Sequence, residues 1–165
     1  MLPAYPHDKI KRDIESTDAK PGEPPMTFAG MNYWAILIAA VAGWIAGAAW
    51  YMSLSKLWQA AVGMTPEKMQ AARSNPHAWV PFVLVFVGHL VMAWTLAGIL
   101  GHFGAVTVKD GVITGALCWF GFVLASMAVN NAFAMRSHRL TAIDGGHYLL
   151  VLVLMGAIIG AMGVK

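Results

Sequence analysis

His89 lies in the middle of one apolar run, and Asp144 and His147 lie three residues apart at the start of another. An imidazole in such a setting can hold a proton, ligate a metal or pigment, or bridge two helices by hydrogen bonds. A carboxylate three residues from an imidazole shares a helix face with it. That spacing suits acid–base work or the orientation of a metal ligand. The plainer reading of Asp144 is a cap on the helix beginning there, with Gly145 and Gly146 allowing close packing. For His89 the plainer reading is a packing histidine bonded to Ser126, which a rise of about 1.5 Å per residue puts at a similar depth on a neighbouring helix. A metal or a magnesium-centred pigment at His89 is the secondary reading. A bis-histidine haem is disfavoured, because His102 and His147 are expected near opposite membrane faces. Asn130 and Asn131 are adjacent and point in different directions, so interhelical hydrogen bonding or a polar ligand is expected of them.

The rest of the chemistry is sparse. Of eight acidic residues, Asp8, Asp13, Glu15, Asp18 and Glu23 precede the first apolar run, which leaves Glu67, Asp110 and Asp144. No paired-carboxylate pattern, HExxH, CxxC or phosphate loop occurs. That is thin for an enzyme, and also for a proton-coupled transporter, since one short chain shows no inverted repeat. No catalytic residues and no obligatory cofactor are therefore expected. Cys118 is the single cysteine and sits in an apolar run, so it reads as a small buried hydrophobe and no disulfide can form within the chain.

The elements that must position these groups are four apolar stretches, about 31–53, 78–100, 112–135 and 146–164. Each has the roughly 20 residues that an α-helix needs to cross about 30 Å of hydrocarbon. None has Asp, Glu, Lys or Arg in its interior. With 58% hydrophobic and 12% charged residues and a mean hydropathy of +0.61, the expected class is an all-α integral membrane protein. Short connections make consecutive helices antiparallel neighbours, so four transmembrane helices should form a compact antiparallel bundle over 31–165. The net charge of +3 fits loops beside anionic lipid headgroups. Membrane lipid is the expected partner and nucleic acid is not.

Residues 1–30 differ in kind. Pro3, Pro6, Pro21, Pro24 and Pro25 break any continuous helix, and large apolar side chains are few. Taken alone this polar extension should be disordered, and other membrane subunits are the partners that would order it. Its mixed charges do not suit a signal peptide, and the apolar run continues past Ala46-Gly47-Ala48, so cleavage there is not expected.

Between the first two spans, Leu54, Leu57, Trp58, Ala61 and Val62 form an apolar stripe suited to an interfacial helix. Thr65-Pro66-Glu67 reads as the cap, first position and acidic first turn of a second one, closed by Asn75-Pro76. Gly101, Gly104 and Gly111 are assigned to the next loop, and 136–145 to the one after. Ala39, Gly43 and Gly47, and again Gly156 and Gly160, are spaced by four and mark helix-packing faces. These rows would serve the bundle or its contacts with other chains equally well. Basic residues near the span ends favour the first and third loops inside, but including 1–30 cancels the preference.

Met31-Asn32-Tyr33-Trp34-Ala35-Ile36-Leu37, Gly47-Ala48-Ala49-Trp50-Tyr51-Met52-Ser53, Asp144-Gly145-Gly146-His147-Tyr148-Leu149-Leu150 and Met155-Gly156-Ala157-Ile158 resemble the DUF1761 family. The resemblance covers about residues 31–165. It implies a small bacterial membrane protein of four helices, hence a multi-pass protein of the inner (cytoplasmic) membrane, and carries no catalytic residues. The implied topology brings Trp50, Tyr51, Ser53, Asn130, Asn131, Asp144 and His147 to one membrane face, with Arg136, His138 and Arg139. That face is the candidate polar site. The leading expectation is a non-enzymatic accessory or assembly subunit of a larger membrane complex. The rivals are a homo-oligomeric channel, transporter or small-ligand binder built around His147, and a membrane enzyme using Asp144 and His147.

Overall fold

The computed structural model describes residues 31–102 and 106–164; the extension expected to contact partners lies outside them. Among the described residues there are helices and turns and no strands. Helix α1 runs Tyr33–Ser53, α2 Ser55–Val62, α3 Pro66–Ser74 and α4 Val80–Gly101. The next span is α5, Val108–Cys118, a π-helical stretch Trp119–Leu124, and α6, Ala125–Phe133; after it comes α7, His138–Met162. Four helical stretches are long and apolar enough to cross a membrane: α1, α4, the continuous Val108–Phe133 stretch, and α7. The chain is a four-span membrane protein.

Local sequence explains where these helices start. Asn32 caps α1, its side-chain oxygen accepting the Ala35 N–H at 3.0 Å. Thr65 caps α3, with Pro66 and Glu67 in its first turn. The Thr65 hydroxyl also holds the exposed Glu67 carboxyl below its ordinary range. Gly63 ends α2 at φ +66°, a conformation that glycine adopts without strain.

The bounds of two spans depart most from the expected ones. Thr107 and Asp110 form a capping box, so the third span starts at Val108 rather than 112 and ends at Phe133 rather than 135. Gly111 is thereby helical and not a loop residue. Ser137 caps α7, so the fourth span starts eight residues before 146. Arg139, Thr141 and Asp144 are too polar for a hydropathy run, yet the helix that Ser137 caps continues through them. Asp144 consequently caps nothing.

Helix α7 is the hub. It packs against α1, α4 and the third span, whereas α1 and the third span do not touch among the described residues. The core is small and made of Ala39, Ala40, Ala93, Leu96, Leu100, Val151, Met155 and Ile159. Large apolar side chains such as Trp34, Phe82, Phe122 and Phe133 stand exposed around the outside, as a lipid-facing shell requires. The ends of the bundle are tied: Asn32 donates its backbone N–H to the Val164 carbonyl at 2.9 Å and its side-chain amide to the Met162 carbonyl at 3.2 Å.

The glycine rows have separate duties. Gly156 meets Gly111 backbone to backbone, Gly160 meets Thr107, and Gly115 meets Leu152, so α5 and α7 touch along a stripe without side chains. Gly43 faces Val151 and Met155, and Gly47 faces His147. Ala39 on the same row is fully buried. Both rows are turned toward the chain's own helices.

Candidate functional site: a buried pair of imidazoles

Helices α4 and α7 enter the membrane domain from the same face, the one carrying α2, α3 and the 134–137 turn. His89 is the tenth residue of α4 and His147 the tenth of α7, which puts them at one depth. Their ring centres are 6.1 Å apart with planes at 49°. His89 is 2% exposed and His147 4%. Here the structure overturns the expected separation of His147 from His89. The early start of α7 carries His147 inward, so it is not an interfacial residue. His102 does stay at the far end, exposed, its Nδ1 2.6 Å from the Gly98 carbonyl.

The expected Ser126 partner is also wrong. Ser126 is exposed, and the Nδ1 atoms of both His89 and His147 are buried with no hydrogen-bond partner. The π-helical stretch before Ser126 adds residues to the turn and rotates α6 about the span axis, so depth alone misplaced this side chain. Each orphaned nitrogen costs about 1–3 kcal/mol relative to a bonded one. Two of them side by side are not a feature that packing alone would favour.

The walls of the pair come from three helices. From α1, Gly47 leaves the space for His147: a Cβ there would stand 2.6 Å from Nε2. Tyr51, one turn further along α1, places its ring 4.9 Å from the His147 ring and donates its hydroxyl to Asp144 Oδ1 at 2.8 Å. Asp144 therefore holds Tyr51 and does not orient His147, so the alternative reading of an Asp144–His147 dyad is not assembled. Tyr148 closes another side at 4.8 Å, and Trp58 of α2 stacks edge-on to Tyr51 at 6.0 Å.

Two indoles fix α7 around this point. Trp50 Nε1 donates to the Ile143 carbonyl at 3.1 Å, and its ring lies against Gly146, where a Cβ would come within 2.8 Å. Trp119 Nε1 donates to the Gly145 carbonyl at 2.7 Å from the opposite side. A polar line thus runs inward from the membrane face through Asp144, Tyr51, His147 and His89.

The other expected site residues lie off this line. Ser53 is exposed and bonds back to the Ala49 carbonyl at 2.7 Å, a contact within its own helix. Asn131 donates to the Thr141 hydroxyl at 3.0 Å and so bridges the third and fourth spans near the turn. Asn130 is exposed. Sequence reasoning did not assign Trp58, Trp119 or Tyr148 to the site, and it missed the Gly111–Gly115 stripe. A four-residue spacing of small side chains was the available signal for the stripe, hidden by assigning Gly111 to a loop. Among the described residues no group of three or more His, Cys, Asp or Glu comes together as a metal site.

Searches of curated proteins and of solved structures each returned no match. A family model described as "Protein of unknown function (DUF1761)" matches residues 34–160, most of the chain and all four spans, and the protein belongs to that family.

Proposed function

We propose that this chain is a non-enzymatic membrane protein, of the bacterial inner membrane, that binds a small ligand between its helices at His89 and His147. One observation carries the reading: two adjacent imidazoles, nearly wholly buried, each keep an Nδ1 without a partner. In a membrane interior an unsatisfied polar group has no water to turn to, and polar groups held there mark functional positions.

The accessory-subunit role rests on the scarcity of catalytic acids, the glycine rows and the 1–30 extension. The rows are occupied inside the bundle, which leaves the scarcity of acids and the extension as that role's support. The enzymatic alternative needed a carboxylate on His147, and the carboxylate is engaged by Tyr51.

Native mass spectrometry of the protein, gently extracted from its own membrane, tests the reading. The wild type should carry a small non-protein mass that His89→Gln and His147→Gln both lose. A wild type that carries only other subunits, equally well held by both variants, would instead establish the accessory role.

A further inference from the structure

We propose that His89 and His147 are the two ligands of a buried site for a monovalent d10 metal ion, with Cu(I) as the physiological member of that class. This rests on the ligand-binding reading and names its ligand.

Geometry is the first support. Metal–imidazole nitrogen bonds are about 2 Å long, so two imidazoles that clasp one ion from opposite sides have ring centres about 6 Å apart. The ring centres of His89 and His147 are 6.1 Å apart. Each ring has a lone Nδ1 to offer, so binding breaks no existing hydrogen bond. The Nε2 edge of His147 is the one against Gly47, so its Nδ1 is turned away from that glycine.

The donor set then selects the ion. With no third His, Cys, Asp or Glu in reach among the described residues, the tetrahedral needs of Zn2+ and the six or more oxygens of Ca2+ and Mg2+ go unmet. Alkali ions prefer oxygen, and neutral nitrogen donors do not suit them. Charge acts in the same direction. The cost of bringing an ion into an apolar interior grows as the square of its charge, so a divalent ion faces roughly four times the penalty of a monovalent one. A filled d shell makes no ligand-field demand and accepts two collinear nitrogens. Asp144, three residues from His147 toward the membrane face, supplies a counter-charge on the side from which the ion would enter.

A macrocycle does not fit the same rings. Haem or a magnesium-centred pigment needs a wide flat slot beside its axial ligand. Rings only 2% and 4% exposed have protein atoms filling that space. A single ion needs no more than the 6.1 Å separation of the ring centres.

The test uses the full chain in detergent micelles, kept anaerobic with ascorbate, loaded with Cu(I) and desalted against bicinchoninate as competing chelator. Wild type should retain copper in stoichiometric amount, with a two-coordinate nitrogen shell in the copper K-edge X-ray absorption spectrum. Both His89→Gln and His147→Gln should lose it, while the joint variant His77→Gln, His102→Gln, His138→Gln keeps it. Thermal melting of each apo variant checks folding, with His89→Leu as a second probe should His89→Gln unfold. No retention by wild type, or retention indifferent to both buried histidines, overturns the proposal. A native mass excess that depends on both histidines but contains no copper overturns the copper assignment and leaves the ligand-binding reading standing.

Discussion

Replacing Gly156 by alanine tests the backbone contact on which the bundle is built. The added Cβ would sit 2.6 Å from the Gly111 carbonyl carbon and closer still to its oxygen. Ordinary van der Waals contact begins at 3.4 Å, so the carbon alone requires α5 and α7 to part by about 0.8 Å, and the nearer oxygen requires more. Neither neighbour can swing aside, since both atoms belong to backbone. The parting also opens the Gly115–Leu152 and Gly160–Thr107 contacts, and a gap of about 0.5–1 Å forfeits a quarter to a half of each dispersion contact. Overpacking of this kind costs about 1–3 kcal/mol. Gly88→Ala is the control, because Gly88 is also mid-helix but has open space where its Cβ would go. Both variants share the gain of about 0.5–1 kcal/mol that alanine brings to a helix, so their difference isolates the collision. Thermal or denaturant unfolding in one detergent should rank Gly156→Ala below Gly88→Ala by about 1–3 kcal/mol. Equal stability would refute the close α5–α7 crossing.

Three further outcomes are expected. Tyr51→Phe removes the bond to Asp144 and should cost about 1–2 kcal/mol in the same unfolding assay, whereas Asp144→Asn keeps an acceptor and should cost less. His89→Leu removes an orphaned polar atom for an apolar one and should leave apo stability unchanged or raised; a loss above about 2 kcal/mol would mean that the nitrogen is bonded after all. Glu67 has its folded pKa lowered by the Thr65 hydroxyl, so its contribution to α3 is present above the ordinary glutamate pKa and is lost as pH falls through the lower folded value. Amide exchange in α3 should accelerate over that acidic window in wild type and show a smaller change in Thr65→Val.

Hydropathy located four spans because charge is excluded from hydrocarbon whatever the packing. The small residues at Gly43, Gly47, Gly156 and Gly160 were legible for a similar reason: close helix approach in lipid requires them. What hydropathy could not register is helix that continues through polar residues. The polar first turns of α7, from His138 to Asp144, looked like loop, and that error displaced His147 toward the interface and hid its meeting with His89. A capping box written as Thr107 and Asp110 was there to be read and would have placed Gly111 in a helix. The Ser126 error was of another kind, since depth comes from counting residues but azimuth depends on helical phase, which the Trp119–Leu124 stretch shifts. Tyr51 was placed on the correct face, yet nothing in the spacing said that it, rather than His147, would take Asp144.

The hub position of α7 bears on how the protein is made. Spans enter the membrane in order of synthesis, and until residue 138 emerges the third span has little to pack on: α1 pairs with α4, but among the described residues it never touches the third span. Their glycine stripe, their imidazole and the Tyr51 hydroxyl all await one late-arriving helix, and the tie from Asn32 to Val164 comes after that. Without α7 the small-residue seam of the third span has no partner helix. Any ligand of the two histidines meets a finished site or none, and a chain arrested before α7 offers membrane proteases an unpaired seam by which to know it.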